Sequence, residues 1–262
     1  MITILTPAYN RRHTLKRLFD SLCEQTNKSF EWLLIDDGST DGTDFLVREC
    51  LSNGNFVTRY LYQANSGKHV AINNGVLAAQ GDWIFIVDSD DQLTPDAIQG
   101  VLDSIEGLDG HGVVGVCFRR AHLDGRLVGV EAHFDVDSML MHPSNAANVL
   151  HGDLAYLFTR EVMLNTPFPV VKGEKFVPEL YIWNQIGDQG DICYFVNRAI
   201  YLCEYLPDGY TQNFSANLRK NCRGFQMFYK EQYFRERTLK GKLKCIVRTI
   251  QCEWFVFLRA IS

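Results

Sequence analysis

The sequence predicts an α/β fold, and three observations predict it. Over the first hundred residues short apolar runs alternate with segments of helical period, the connections are short, and each apolar run ends in a cluster of polar residues. Such alternation implies a parallel sheet covered by helices. Ligands of these sheets bind outside the carboxyl ends of the strands, where the clusters Pro7–Arg11, Asp36–Asp41, Asn65–His69 and Asp88–Asp91 all fall.

Each element has its own signal. Ile2–Thr6 is an apolar run ending at Pro7, as in a buried parallel strand. Leu15, Leu18, Phe19 and Leu22 recur at i, i+3, i+4 and i+7 and mark one helical face. Glu31–Ile35 reads as a second strand running into Asp36, Asp37 and Gly38. Asp41 can cap a second helix carrying Phe45, Leu46 and Leu51. Val57–Tyr62 reads as a third strand, Ser66–Ala79 as a third helix stopped near Gly81. Trp83–Val87 is a fourth strand. Thr94, Pro95 and Asp96 give a cap, a first-turn proline and an acid at the positive end of the helix dipole.

Beyond residue 110 the pattern loosens. Val113–Arg120 and Arg126–Val130 flank His122–Gly125 and read as a hairpin. Leu154–Thr159 reads as a strand, 165–178 as a loop, Leu180–Ile186 as the opening of a helix, and Ile192–Glu204 as further strand. From Ala216 the chain reads as helical and basic, and no linker separates two independent domains.

Composition narrows the function. Apolar residues at 46% and charged residues at 22% exclude wholesale disorder. A chain of 262 residues can bury a full core without disulfides. Residues 216–262 hold 11 Lys and Arg against 3 Asp and Glu, while residues 1–215 hold 15 against 28. An acidic body argues against nucleic acid as a partner, since phosphate contacts need clustered cations. Eight scattered cysteines with no C-x-x-C pair exclude zinc and redox motifs and suit a reducing compartment. The N-terminus MITILTPAYN lacks a basic n-region, and no apolar stretch approaches ~20 residues. The expectation is a cytoplasmic protein.

Asp88-Ser89-Asp90-Asp91 carries the sharpest chemical signal. Crowded carboxylates repel, and a divalent cation relieves the repulsion. Hard oxygen ligands select Mg²⁺ or Mn²⁺. Alternate residues of an extended segment point the same way, so Asp88 and Asp90 can face one site; the bland alternative is an acidic turn capping the next helix. Asp36 and Asp37 follow the second strand, where a carboxylate can accept from a base or ribose; an Asx turn into Gly38 accounts for one of them. Pro7 and Tyr9 offer a flat apolar surface for a nucleobase. Gly67 permits close backbone approach, and Lys68 at a helix N-terminus favours a diphosphate. His69 reads as structural. Neither a P-loop nor a dinucleotide fingerprint is present.

Together TPAYNR (Thr6–Arg11), IDDGSTDGT (Ile35–Thr43), NSGKHVAINNG (Asn65–Gly75) and DSDD (Asp88–Asp91) resemble the ordered motifs of family 2 glycosyltransferases over roughly the N-terminal hundred residues. The resemblance implies a GT-A fold, a Rossmann-like mixed sheet flanked by helices. It implies a domain over 1–215, with a nucleotide-sugar half (1–105) and an acceptor half (106–215), followed by a helical extension over 216–262. It also implies inverting hexosyl or N-acetylhexosaminyl transfer from a nucleotide-diphospho-sugar, by default a UDP-sugar, to a saccharide or lipid-linked acceptor, with Mn²⁺ or Mg²⁺ on the diphosphate. Carried over by position, Pro7, Tyr9, Arg11, Asp37, Lys68, Asp88, Ser89 and Asp91 line the donor, and Asp90 with Asp88 binds the metal. The family's general base often lies in an E-D pair before a helix. Here Glu179 matches and Leu180 stands in place of the acid. The alternative for Glu179 is a first-turn acid favoured by the dipole. Asp153 is the reserve for acceptor contact.

The tail interleaves cations with aromatics. Ile246, Val247, Ile250, Trp254 and Phe257 fit one helical face. Such a basic amphipathic helix can lie on an anionic membrane, at the inner face for a cytoplasmic enzyme. The bland alternative packs that face on the domain. Three rivals are weighed. A nucleotidyltransferase needs a stronger N-terminal phosphate loop, a glycosidase leaves Pro7–Arg11 and Asp37 unexplained, and a non-catalytic nucleotide-sugar-binding module draws on the missing acid at Leu180.

Overall fold

The computed structural model describes residues 1–108, 112–204 and 213–260. Four parallel strands come first: β1 (Ile2–Ala8), β2 (Phe30–Asp36), β3 (Val57–Tyr62) and β4 (Trp83–Ile86), in spatial order 3-2-1-4. Helices α1 (Arg12–Cys23), α2 (Thr43–Asn53) and α3 (Lys68–Ala78) connect them. The chain continues through β5 (Gln92–Leu93), α4 (Ala97–Glu106), β6 (Val113–His122), β7 (Ser138–Leu140), α5 (Pro143–Leu150), β8 (Leu154–Thr159), α6 (Arg160–Asn165), α7 (Glu179–Gly187) and β9 (Asp191–Cys203). β8 joins β4 antiparallel, β6 runs antiparallel to β8, and β9 lies parallel to β6. β5 and β7 add to β9, completing a mixed sheet of nine strands among the described residues.

Period-two alternation divides the core. Ile2, Ile4, Trp32 and Leu34 face α1, α2 and α4, while Leu5, Leu33 and Ile35 face α3, α6 and α7. The last helices, α8 (Phe214–Lys220), α9 (Cys222–Arg235) and α10 (Leu239–Ala260), share a separate cluster built on Leu218, Cys222, Phe225, Tyr229, Cys245 and Cys252. α9 is tied to α7 by Asn184 donating to Gln232 at 3.1 Å and Gln185 donating to Glu231 at 3.0 Å. The expected domain boundary after residue 215 falls inside α8.

Several expectations are corrected. β1 runs two residues past Thr6, through Pro7 to Ala8. Pro7 is tolerated because β4 pairs with β1 only as far as Leu5, so no ladder bond is lost on that side. In α2 the buried residues are Thr43, Val47 and Cys50, at i, i+4 and i+7, and Leu46 packs partly buried against the core, whereas Phe45 is 70% exposed and Leu51 is exposed. The hairpin shrinks to one bridge, Ala121 with Leu127, because β8 and β9 already occupy both edges of β6 up to Arg119. α5, α6, β5 and β7 carried no clear signal. The alternative that packs the Ile246–Phe257 face of α10 on the domain does not hold: those residues are exposed, and Cys245, Cys252, Phe255 and Val256 pack instead.

One buried charge sits under the parallel strands. Glu31 accepts from Thr3 Oγ1 at 2.6 Å, Gln80 N at 2.6 Å and Arg59 at 3.0 Å. Burial pushes its carboxyl up, but these donors outweigh it and hold it below the ordinary range. Its stabilisation is therefore complete above the unfolded value near 4.5 and is lost as pH falls through the lower folded value. Glu31→Ala should cost about 3 kcal/mol by urea denaturation at pH 7, and the gap from wild type should narrow in acid. A gap independent of pH would contradict this assignment.

Candidate active site

The polar loops at the carboxyl ends of β1–β4 meet, and named bonds hold them. Asn10, at φ 53°, receives a bond from Thr40 N at 2.8 Å, and its own N–H donates to Ser39 Oγ at 2.9 Å. Asp41 accepts from Arg12 N and from Thr43 N, so it closes an Asx turn ahead of α2 rather than capping it directly. Asp36 accepts from Ser39 N and Tyr60 OH. Asp37 accepts from Gln63 Nε2 and Ser66 N on one oxygen and from Gly67 N on the other. A carboxylate has about four acceptor positions, so roughly one remains on Asp37. Pro7 is buried, and the exposed apolar surface at this edge is the Tyr9 ring, 48% exposed.

Gly67 brings in the second half of the chain. Its φ of +99° suits glycine, and a Cβ there would lie 2.2 Å from the Lys175 carbonyl oxygen. The 174–178 segment thus presses on the start of α3. Its other anchor is Glu174, which is buried and accepts from Arg223 N and Gly224 N at 2.9 Å each. Four residues after Lys175, Glu179 opens α7.

Lys68 joins the two halves. Its Nζ lies 2.6 Å from Asp88 Oδ1 and 2.7 Å from Glu179 Oε1. Burial alone would pull the ammonium down, but Asp88 and Glu179 overcome it and hold it charged. Arg120 of β6 approaches Asp88 at 3.9 Å and Asp91 at 3.7 Å, with its guanidinium 4.0 Å over the Tyr201 ring. Tyr201 OH in turn accepts from Asp88 N at 2.9 Å. Arg17 donates to the Asp90 carbonyl and to Glu204. Burial and then the Lys68 and Arg120 charges act on Asp88, and the cations win, lowering it. For Asp90 and Asp91 burial and the Asp88 charge win, raising Asp90 and pushing Asp91 up to about 7. Ser89 is buried, Arg11 is close enough for its charge to act on Asp88 and Asp90, and Asp153 acts likewise on Arg120. His69 is buried, and burial holds its ring neutral.

Of the residues singled out in the sequence, Arg11, Lys68, Asp88, Asp90, Asp91, Asp153 and Glu179 are brought together with Arg120; Asp37 holds the neighbouring Gly67 turn, Ser89 is buried, Tyr9 is exposed and Pro7 is buried within β1. Arg120, Tyr201 and Arg17 were missed. Arg120 had a signal: it is one of two adjacent arginines, Arg119 and Arg120, that follow the apolar run Val113–Phe118 in β6. Among the described residues no three His, Cys, Asp or Glu side chains form a ready-made metal cage. The donor set nevertheless fits a hard cation, because Asp88 and Asp90, at alternate positions, both offer carboxylate oxygens; burial and then the Asp88 charge raise Asp90. Mg²⁺ and Mn²⁺ commonly take one or two protein carboxylates and complete their shell from phosphates and water.

Comparison with known proteins bears on the family and the fold. The family description "Glycosyl transferase family 2" matches residues 3–151. An undecaprenyl-phosphate 4-deoxy-4-formamido-L-arabinose transferase of Aeromonas hydrophila is 32% identical over 123 residues, 45% of this chain and 37% of that relative. This chain thus spans less than half of that relative's length. TarS 1–349 of S. aureus, solved in complex with UDP, superposes with a TM-score of 0.66 at 18% identity over 96% of this chain and 70% of that one. The mannosyltransferase PcManGT of Pyrobaculum calidifontis, solved with GDP-Man and Mn²⁺, gives 0.59 at 17% identity over 100% and 75%. These likenesses fix the fold as GT-A.

The Asp91 carboxyl gives a pH test. Its folded value near 7 exceeds the unfolded 3.8, so the folded state holds an extra proton between them and loses stability as pH rises through that window. Asp91→Asn should therefore gain on wild type between pH 5 and pH 8, by on the order of 2 kcal/mol, in metal-free thermal unfolding. A variant that loses ground over that range would refute the assignment.

Proposed function

The chain belongs to glycosyl transferase family 2, and we propose that it is an inverting, metal-dependent enzyme. It moves a hexosyl or N-acetylhexosaminyl unit from a nucleotide-diphospho-sugar, UDP-linked by default, to a saccharide or lipid-linked acceptor in cell-surface polysaccharide or glycolipid synthesis. Residues 1–105 form the donor half and 106–215 the acceptor half, with 216–262 as an extension. The enzyme works at the cytoplasmic side of the membrane. Among the described residues no helix is long and apolar enough to cross one.

One observation carries the reading: Lys68 stands between Asp88 and Glu179. The carboxylates of the donor side and the candidate base are one ammonium apart, the separation a transfer across a single glycosidic centre requires. The Tyr9 ring stacks on the base beside Pro7, and Asp37 accepts its N–H on the remaining lone pair. Arg11, Ser89 and Asp91 line the donor. Lys68 offsets the charge growing on the leaving diphosphate. A divalent cation, Mn²⁺ or Mg²⁺, held by Asp90 and Asp88 would supply Lewis-acid stabilisation of that diphosphate. Glu179 takes the acceptor hydroxyl proton as the oxygen bonds to the anomeric carbon from the face opposite the diphosphate. The bond from carbon to the diphosphate oxygen breaks, and its electron pair leaves with the nucleotide. The transition state resembles an oxocarbenium ion, and no covalent intermediate forms.

A second reading, a module that binds donor without turning it over, draws on Leu180 and on the engagement of Glu179 by Lys68. Turnover separates the two. A thermal-shift panel of UDP-, GDP-, CMP- and dTDP-sugars with Mn²⁺ should raise the Tm for one nucleotide class and fail to do so in Asp90→Ala. A folded wild type that no donor stabilises would remove the donor site. Glu179→Gln should keep the donor shift and lose about 10²- to 10⁴-fold in nucleotide release with acceptor. Turnover at the wild-type rate would remove Glu179 as base.

A further inference from the structure

α10 has two faces, and the apolar one read from the sequence is not packed on the domain. At about 100° per residue, Leu239, Leu243, Ile246, Val247, Ile250, Trp254 and Phe257 fall within an arc of about 100°. All are exposed, Ile250 at 60% and Trp254 at 57%. The Trp254 and Phe257 rings stack at 5.9 Å. The opposite face, through Cys245 and Cys252, holds the helix on α9. A 22-residue helix is about 33 Å long, so the stripe runs nearly the width of a small domain. An apolar surface this continuous marks an interaction site.

Charge selects the partner. Lys240 and Lys244 flank one edge of the stripe at helical spacing, and Lys242 flanks the other. The lone acid of the helix, Glu253, is engaged by Lys230 at 3.2 Å and by Gln226 at 3.0 Å. Residues 216–262 carry 11 cations against 3 acids, while the rest of the chain is net acidic. We propose that α10 docks on an anionic membrane surface, with the Ile250–Trp254–Phe257 stripe in the acyl boundary and the flanking lysines at the headgroups. This is the geometry of an interfacial helix, and cations beside the stripe strengthen its attachment to an anionic surface. A second copy is the poorer partner, because a two-fold contact along the stripe sets lysine-rich flanks against each other. The inference rests on the reading above only in making the membrane the place where the acceptor is met. α9, on which α10 lies, packs on α7, the helix that Glu179 opens.

The test is flotation of the full chain with vesicles of equal parts phosphatidylglycerol and phosphatidylcholine, and with phosphatidylcholine alone. Wild type should float with the anionic vesicles, release as salt rises, and stay in solution with the neutral ones. Ile250→Glu and Trp254→Glu lie on the exposed face and should each weaken partition about tenfold or more. Lys240→Glu with Lys244→Glu should abolish the preference for anionic lipid. Thermal shift by the donor, measured on the same samples, should be unchanged in all of them, so a failed donor site and a failed docking face are told apart. A folded wild type that binds neither vesicle overturns the proposal. So does equal binding to both, or a dimer in sedimentation velocity that Trp254→Glu dissociates.

Discussion

The ammonium of Lys68 is the contact on which the site depends. It touches a carboxylate from the loop after a parallel strand, Asp88, and another from the start of a helix in the second half of the chain, Glu179. Four acids, Asp88, Asp90, Asp91 and Glu179, crowd one rim. Lys68 and Arg120 offset part of that charge. Burial, and then the Asp88 charge, still raise the carboxyls of Asp90 and Asp91. That arrangement of carboxylates and cations is what the proposed function draws on.

Beyond that rim the chain segregates its charge. The parallel half and its antiparallel continuation are acidic, and the three closing helices are basic. Those helices have their own small core, joined to the sheet mainly through α9 and the Glu174 carboxylate that takes the first amides of that helix. The extension is thus an integral layer on one side and an unpartnered surface on the other.

Much of the donor half was legible because parallel strands buried on both faces read as short apolar runs, and their loops read as polar clusters. Val57–Tyr62 and Leu154–Thr159 matched to the residue. Where the reading failed, distance in sequence or ambiguity of phase was the cause. Arg120 and Tyr201 reach the Asp88 loop only because β6 and β9 are neighbours in the sheet, which local pattern does not encode. On α2, Phe45, Leu46 and Leu51 do not share one helical face, whereas Thr43, Val47 and Cys50, at i, i+4 and i+7, do. On α10 the exposed stripe holds most of the large side chains, while Cys245, Cys252, Phe255 and Val256 pack. Leu180 in the expected acidic pair left Glu179 ambiguous in sequence, and its contact with Lys68 is what makes it the candidate.

The meeting of Gly67 with the Lys175 carbonyl bears on redesign. The spacing between Lys68 and Glu179 is set by backbone lying against backbone, with no side chain between. A loop grafted from another transferase to change acceptor choice will carry its own carbonyl at that position. Unless it reproduces the close approach, α7 and its leading carboxylate will dock a methyl group's width away. Swaps in this scaffold should therefore be cut outside 174–178, leaving that segment with α3 as part of the frame rather than part of the cargo.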